Sequence, residues 1–283
     1  MQTYESISKL EETIEPHVEW ERFSKRIKKG ERIITIGGTD SGKTSFCYFI
    51  SKKFKNIAFF DLDPGQQTLF LPSCISAKNN SKFLKFFIGK LSPRGAETMV
   101  LVGLKTFIQE ILYPSKPYLA ILDTSGYISD DRALILKFSK CLIFNPTKVV
   151  ILRKENEQNK ELQKIKNLLS KYFQTVELPS HNKSKTIPKE KREEIRNQKI
   201  KLYFLDAEEI EINKERELVI NLGYFRSEKD KDDGAEVIGF FKGRNTTFLG
   251  LINQENENMM KVLVPKYHKN WDFIIRAGLK FKI

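Results

Sequence analysis

Short, almost continuous apolar runs recur along the first two thirds of the chain, and each ends in a glycine-rich or polar turn. The runs "RIITIGG" (32–38), "NIAFF" (56–60) and "YLAILDTSG" (118–126) predict buried β-strands. Directly after the first run, "KTSFCYFISKKF" (43–54) has the spacing of a helix. This order of strand, turn and helix predicts an α/β fold with a doubly wound, mostly parallel sheet.

The pattern changes near Asp206, where shorter apolar runs alternate with polar residues. Five of these runs predict strands separated by turns: "ELVINLGYF", "EVIGFFKG", "TTFLGLI", "KVLVPKY" and "FIIRAGLKFKI". No catalytic group stands out among them. We therefore expect a small C-terminal β-domain (206–283) that packs against the main core.

Composition adds a constraint on partners. A hydrophobic fraction of 40% with 11% aromatic residues supports a substantial core in a chain of 283 residues. The formal net charge is +13, from 49 Lys and Arg against 36 Asp and Glu. Such a charge favours a polyanionic partner, although charge spread over the surface for solubility gives the same total.

Several classes of protein are not indicated by the sequence. No apolar run approaches the roughly 20 residues that span a bilayer, and the acidic, polar N-terminus does not read as a signal peptide. Cys47, Cys74 and Cys141 are too far apart to indicate a disulfide framework or a zinc site. We expect a cytoplasmic protein with no membrane partner.

The segment 37–44 fits the pattern G-x-x-x-x-G-K-T of a phosphate-binding loop, and it lies between a predicted strand and a predicted helix. In such loops the backbone N–H groups cradle phosphate oxygens. Lys43 is expected to reach the β- and γ-phosphates, and the Thr44 hydroxyl to bind Mg²⁺. The fold class is therefore that of the P-loop NTPases. The predicted nucleotide-binding residues are Gly37, Gly38, Thr39, Asp40, Ser41, Gly42, Lys43, Thr44 and Ser45.

Two acidic residues end the second predicted strand, where open α/β sheets place their ligand crevice. Asp61 and Asp63 lie on the same side of an extended strand. One carboxylate is expected to hold Mg²⁺, directly or through water, and the other to accept a proton from an attacking hydroxyl. The turn after them, Pro64–Gly65, is expected to present Gln66 to the same crevice.

These segments resemble a known family. "GGTDSGKTS" (37–45) followed by "DLDPGQ" (61–66) resembles the polynucleotide 5′-hydroxyl kinases of RNA processing, which are P-loop proteins that phosphorylate the 5′-OH end of RNA or DNA. "FIGKLSPRG" (87–95) is similar to the G-x-x-S-P stretch of that family and "LAILDTSGYI" (119–128) to its N-T-x-G-W segment. "KREEIRNQKIKLYF" (191–204) is similar to its arginine-bearing lid helix.

The resemblance implies ATP or another NTP such as GTP as donor, Mg²⁺, a 5′-OH end of RNA or DNA as acceptor, and RNA-processing proteins as partners. It implies that Asp61 organises the metal ion and that Asp63 deprotonates the 5′-OH. Gln66, Thr124 and Tyr127 are expected to bind the polynucleotide. The family usually has Asn at the position of Asp123 and a base-stacking Trp at that of Tyr127, whose ring can also stack on a base.

The lid segment concentrates positive charge, with eight Lys and Arg against three acidic residues in 183–204. A helix that begins at Pro188 places Lys189, Arg192, Arg196 and Lys199 along one face. Arg192 and Arg196 suit the γ-phosphate and its developing charge, and Lys185 is expected to assist them in binding the polynucleotide. A solvated charged helix is the alternative. The expected parts are then an N-terminal extension (1–30), a kinase core with its lid (31–205) and the β-domain.

Two other functions fit part of the sequence. A nucleotide-binding scaffold of an RNA-processing complex would keep the loop and transfer nothing. A P-loop GTPase or ATPase would hydrolyse its nucleotide without an acceptor. "DTSG" (123–126) fits the D-x-x-G of GTPases, but no N-K-x-D follows it to read guanine.

Overall fold

The computed structural model describes residues 16–154, 158–180, 187–223, 234–266 and 270–282. Its larger sheet has seven strands: β1 (Glu31–Ile36), β2 (Ile57–Leu62), β3 (Cys74–Lys78), β4 (Phe83–Phe87), β5 (Leu119–Thr124), β6 (Lys148–Arg153) and β7 (Thr175–Pro179). They lie in the order β4-β3-β2-β5-β1-β6-β7. Five neighbouring strands of this sheet are parallel: β2, β5, β1, β6 and β7. Strands β3 and β4 add an antiparallel hairpin at the edge beside β2.

Helices connect these strands. In chain order they are α1 (Val18–Ser24), α2 (Lys43–Lys52), α3 (Glu97–Phe107), α4 (Asp131–Phe144), α5 (Lys160–Leu169) and α6 (Lys189–Tyr203). Helix α3 continues through a π-helical turn, Ile108–Leu112, and a last helical turn, Tyr113–Ser115. Among the described residues, no helix is long and apolar enough to cross a membrane.

Successive residues of the central strands are buried on opposite faces of the sheet, because side chains alternate along a strand. In β1, Ile33 packs with α1 and α2, whereas Ile34 packs with α3, α4 and α5. The pair Phe59 and Phe60 in β2 divides between the faces in the same way. Both faces are thus covered, which confirms the predicted doubly wound, mostly parallel architecture.

The second sheet has six strands: β8 (Ala207–Asn213), β9 (Val219–Asn221), β10 (Ala235–Lys242), β11 (Asn245–Glu255), β12 (Met259–Pro265) and β13 (Phe273–Phe281). Their order is β8-β12-β11-β10-β13-β9, antiparallel except for β9 beside β13. Strand β8 was not among the strands predicted from the sequence. Its alternating acidic residues, "AEEIEIN", carry little apolar signal, and pairing with β12 fixes the strand.

One continuous core joins the two sheets at β4. The backbone N–H of Phe87 donates to Thr246 Oγ1 at 2.7 Å, and Lys85 Nζ donates to the carbonyl of Thr247 at 2.6 Å. The backbone of Gly239 lies against the Phe87 ring, where an added Cβ would come within 2.7 Å of the side chain. The C-terminal sheet therefore packs against the main core.

The predicted N-terminal extension also contributes to the core. The side chain of Trp20 on α1 is fully buried, and its ring meets that of Phe46 edge-on at 5.3 Å between centroids. Its Nε1 donates to the carbonyl of Pro179 at 2.8 Å, at the end of β7. Helix α1 is thus fixed beside the helix that follows the phosphate-binding loop.

Substituting Trp20→Ala is expected to lower the free energy of unfolding by about 3–5 kcal/mol, because it leaves a large cavity and an unpaired carbonyl. Urea denaturation measures the change. Val18→Ala on the same helix is the control, since Val18 is 55% exposed and its truncation leaves no cavity. Equal effects of the two substitutions would show that Trp20 does not anchor α1.

Candidate phosphate site and acceptor crevice

The loop 37–44 connects the end of β1 to the start of α2, and its geometry depends on small residues. Gly42 adopts a left-handed conformation (φ 77°) immediately before the helix. A Cβ on Gly37 would lie 2.6 Å from the carbonyl oxygen of Leu152. The loop is thus built to turn its backbone N–H groups inward at a helix N-terminus, a favourable place for phosphate.

The side chain of Lys43 is buried beneath this loop. Its Nζ donates to the carbonyl of Gly38 at 2.6 Å and to Ser41 Oγ at 3.3 Å. Burial lowers the pKa of Lys43, and the nearby carboxylate of Asp123 opposes that effect. The ammonium is therefore placed where phosphate oxygens would surround it.

The carboxylate of Asp123, at the end of β5, is bonded to the last residue of the loop. Its Oδ2 accepts a hydrogen bond from Thr44 Oγ1 at 2.6 Å, and its Oδ1 accepts one from Thr35 Oγ1 at 3.4 Å. The side chain is almost fully buried, and this burial raises the pKa of Asp123. No metal role was predicted for Asp123. The signal available in the sequence was an acidic residue at the end of the predicted strand 118–126.

Asp61 lies beside Asp123 in the parallel pairing of β2 and β5. Its Oδ2 accepts hydrogen bonds from the backbone N–H and the hydroxyl of Thr68, at 2.7 and 2.6 Å, and its Oδ1 accepts the N–H of Asp63 at 3.1 Å. Burial raises the pKa of Asp61, and the Asp123 carboxylate raises it further. Asp61 thus holds the loop that follows β2. The Thr44 hydroxyl, which is expected to bind Mg²⁺, donates to Asp123 and not to Asp61. The metal role of Asp61 stays a prediction.

Asp63 lies just beyond β2 and is partly exposed. Its Oδ1 accepts the backbone N–H groups of Gly65 at 3.0 Å and Gln66 at 3.2 Å. These bonds fix the orientation of the carboxylate. In the part of the chain that the structure describes, no hydrogen bond reaches its Oδ2, so that oxygen is available to a ligand.

Two buried lysines of α4 lie behind these carboxylates, and the sequence analysis did not single them out. Lys137 Nζ donates to Thr124 Oγ1 at 2.8 Å and to the carbonyl of Ser125 at 2.6 Å. Lys140 is also fully buried, and Asp63 and Asp123 are the groups that most oppose the lowering of its pKa to about 8. Burial lowers the pKa of Lys137 as well, and the carboxylates of Asp63 and Asp123 oppose this shift.

The structure corrects the prediction that Thr124 binds the polynucleotide. Its side chain is only 1% exposed, and its hydroxyl donates to the carbonyl of Thr35 at 2.7 Å while it accepts from Lys137. The hydroxyl therefore points into the protein. Gly126 and Tyr127, a little further along the chain, are partly exposed and line the larger cavity instead.

The predicted lid is the helix α6. Arg192 Nη2 forms an ion pair with Asp40 of the phosphate loop at 2.6 Å, and Lys199 Nζ donates to the carbonyl of Gln67 at 2.6 Å. The Nε atoms of Arg192 and Arg196 are buried and have no hydrogen-bond partner among the described residues. Because buried donors are normally paired, two unused guanidinium N–H groups above the loop fit an anionic ligand.

Two adjoining cavities meet beneath this helix. One, of about 380 Å³, is lined by the phosphate loop from Thr39 to Ser45 and by α6. The other, of about 610 Å³, extends past Gln66 and Tyr127. The residues that line both cavities include Asp63, Arg192 and Arg196. The predicted Lys185 lies outside the described residues.

The site is that of a P-loop protein with a second crevice beside its phosphate loop.

Comparison with known proteins gives the family. The family described as "mRNA cleavage and polyadenylation factor CLP1 P-loop" matches residues 37–206, more than half of the chain. The chain therefore belongs to this family.

Curated relatives carry the name of a kinase. The polyribonucleotide 5′-hydroxyl-kinase of Methanocaldococcus jannaschii is 29% identical over 244 residues, which cover 80% of this chain and 66% of that protein. The polyribonucleotide 5′-hydroxyl-kinase of Pyrococcus furiosus is 25% identical over 222 residues, covering 73% of this chain and 60% of that protein. The chain thus spans less than two thirds of the length of these relatives. Their names confirm the predicted resemblance to the polynucleotide 5′-hydroxyl kinases.

A solved structure supports the fold over nearly the whole chain. A chain of the wild-type Clp1p–Pcf11p complex superposes with a TM-score of 0.72 at 15% identity, covering 98% of this chain and 79% of that one. At this identity the likeness concerns the fold.

Substituting Gly126→Ala is expected to weaken nucleotide binding by about tenfold or more, since the new Cβ would lie 2.6–2.7 Å from Thr39, including its backbone N and Cα. The phosphate loop would have to shift. Fluorescence titration with a labelled ATP analogue measures the affinity. The control is Val102→Ala, a truncation at an exposed position on α3 that does not line either cavity. Wild-type affinity in the Gly126 variant would show that this contact does not shape the loop.

Proposed function

We propose that this chain transfers the γ-phosphoryl group of ATP, or of another NTP such as GTP, to the 5′-OH end of a polynucleotide. The observation that carries the proposal is the pair of adjoining cavities, with Asp63, Arg192 and Arg196 where they meet. A phosphoryl transfer between two substrates needs a donor site and an acceptor site that share the reacting groups.

The donor is held by the phosphate loop. Its backbone N–H groups and the Lys43 ammonium bind the phosphates, and the buried lysine keeps its charge close to them because it is anchored to Gly38 and Ser41. The Thr44 hydroxyl and the Asp123 carboxylate fit a magnesium ion, which prefers oxygen ligands together with substrate phosphates and water. Bound there, Mg²⁺ would supply neutralisation of charge on the phosphates.

The acceptor is activated by Asp63. Its Oδ2 takes the proton of the 5′-OH while the hydroxyl oxygen forms a bond to the γ-phosphorus, and the bond from that phosphorus to the bridging oxygen of the donor breaks. The products are a 5′-phosphate and the nucleoside diphosphate. The two backbone bonds to its Oδ1 keep the carboxylate aimed at the crevice.

The lid arginines stabilise the charge that develops on the transferred group. Arg192 is ion-paired with Asp40, so a phosphoryl group that enters beneath α6 competes with that carboxylate for the guanidinium. Arg196 lies one turn further along the same face and has an unused Nε donor. Planar guanidinium groups suit phosphoryl oxygens better than an ammonium group does.

The net charge of the chain and the names of its curated relatives both support a polynucleotide as the acceptor. The net charge of +13 suits a polyanion, and the curated relatives are named for a polyribonucleotide. We propose RNA as the acceptor, with Gln66 and Tyr127 beside its terminal nucleotide and Lys185 assisting. Association with RNA-processing proteins in the cytoplasm remains a prediction.

Formation of nucleoside diphosphate distinguishes the three candidate functions. Purified protein is incubated with Mg²⁺ and either ATP or GTP, together with a 5′-OH oligoribonucleotide, with the same oligonucleotide carrying a 5′-phosphate, or with neither. A kinase forms the diphosphate only with the 5′-OH oligonucleotide. A hydrolase forms it in all three mixtures, and a scaffold forms it in none; either result contradicts the proposal.

Substituting Asp63→Asn is expected to lower the transfer rate by about 10²–10⁴-fold with little change in nucleotide affinity, because an amide does not accept the hydroxyl proton. Single-turnover kinetics with saturating ATP and oligonucleotide measure the rate. Asp206→Asn, at an exposed position, controls for the loss of one negative charge. A transfer rate near that of the wild type would remove Asp63 from the role of base.

Substituting Arg192→Lys keeps the charge and removes the planar fork. We expect kcat to fall on the order of 10²-fold or more, with a smaller change in ATP affinity, since the contact strengthens as charge develops in the transition state. Steady-state kinetics separate the two effects. Lys201→Ala, an exposed residue of the same helix, is the control for helix charge. An unchanged kcat in the Arg192 variant would favour the alternative that α6 is a solvated charged helix.

A further inference from the structure

The acceptor crevice contains an arginine that has no role in the mechanism above. Arg94 follows β4 in the turn 92–94, and its guanidinium lies over the ring of Tyr127, with 5.3 Å between Cζ and the ring centroid. Both side chains line the larger cavity together with Asp63. We propose that Arg94, backed by Tyr127, is the surface on which the 5′-terminal base of the acceptor stacks, an inference that rests on the proposed kinase function.

The guanidinium is held in place by groups around its edge. Its Nη2 donates to Ser129 Oγ at 3.1 Å and forms an ion pair with Asp130. The same Asp130 accepts a hydrogen bond from the Tyr127 hydroxyl at 2.6 Å and from the N–H of Ala133 at 2.9 Å. One carboxylate at the start of α4 therefore holds both the arginine and the aromatic ring, which keeps the two planar groups next to each other.

Stacking is favoured over binding of a phosphate at this point. Asp130, which is itself held by Tyr127 and by the N–H of Ala133, offsets the positive charge of Arg94, whereas Arg192 keeps a buried Nε with no partner among the described residues. The guanidinium of Arg94 lies over the Tyr127 ring, and the side chain remains 56% exposed. Guanidinium planes and aromatic rings are the groups on which unpaired bases stack in RNA-binding proteins.

The position of this surface matches that of the reacting hydroxyl. Leu91, three residues before Arg94, packs tightly on the loop that carries Asp63, since a Cβ on Gly65 would collide with its carbonyl oxygen. The 5′-OH and the terminal base belong to the same nucleotide. Holding the base against Arg94 would therefore orient the hydroxyl toward Asp63.

The test uses two kinds of measurement on the full chain. Transfer is compared for a 5′-OH oligoribonucleotide and for the same oligonucleotide lacking its 5′-terminal base. In parallel, the fluorescence of 2-aminopurine placed at the 5′ end reports stacking in the bound state, without any transfer. The variants are Arg94→Ala and Arg94→Lys. The control is Arg132→Ala, which removes the same charge from an exposed position on α4.

We expect the wild-type protein to prefer the acceptor with its terminal base by on the order of tenfold or more in kcat/KM. Both Arg94 variants should lose most of this preference and most of the 2-aminopurine quenching, because lysine keeps the charge without the plane. The Arg132 variant should keep both.

Two results would overturn the inference. If Arg94→Lys behaves as the wild type, the residue makes a charge contact. If Arg94→Ala weakens both acceptors equally, it contacts the backbone of the polynucleotide. Failure of the proposed function looks different: the wild type would transfer nothing to either acceptor, while quenching of 2-aminopurine would still report whether Arg94 stacks on the terminal base.

Discussion

The hydroxyl of Thr44 donates to the buried carboxylate of Asp123, and this hydrogen bond ties the start of α2 to the end of β5. A carboxylate removed from water needs compensation by hydrogen bonds and opposite charge. Lys43 provides charge from the phosphate loop, and Lys137 binds the end of β5 from α4. The loop, the central strands and α4 are consequently held in one arrangement, and the position of Asp61 next to Asp123 extends it to β2.

The groups that line the two cavities differ from these residues, because some of their polar atoms have no hydrogen-bond partner among the described residues. Arg192 and Arg196 each bury an Nε that has no partner in the described ranges, and one carboxylate oxygen of Asp63 accepts no bond there. Thr44 and Asp123 bond to each other, whereas Asp63, Arg192 and Arg196 each keep an atom that can bind a ligand. Asp63 and the two arginines place the proposed chemistry at the boundary of the two cavities, beneath α6.

Much of this arrangement could be predicted from the sequence, because its signals are local. The glycine spacing of the phosphate loop, the acidic residues after β2 and the arginine spacing of α6 each lie within one short segment. The bond between Thr44 and Asp123, the inward turn of Thr124 and the contact between Arg94 and Tyr127 depend on strand order and on packing between distant segments. Periodicity carries no information on those contacts. The burial of Lys137 was not predicted either, because a lysine in a helix is usually at the surface.

Identification of the phosphorylated product tests the central claim most directly. A 5′-OH oligoribonucleotide is incubated with ATP, Mg²⁺ and the full chain, and the products are resolved by mass spectrometry together with ³¹P NMR. The account predicts an oligonucleotide that has gained one phosphoryl group as a 5′-phosphomonoester, with one ADP formed for each. Inorganic phosphate with an unmodified oligonucleotide, or a phosphoryl group at any other position, would contradict it.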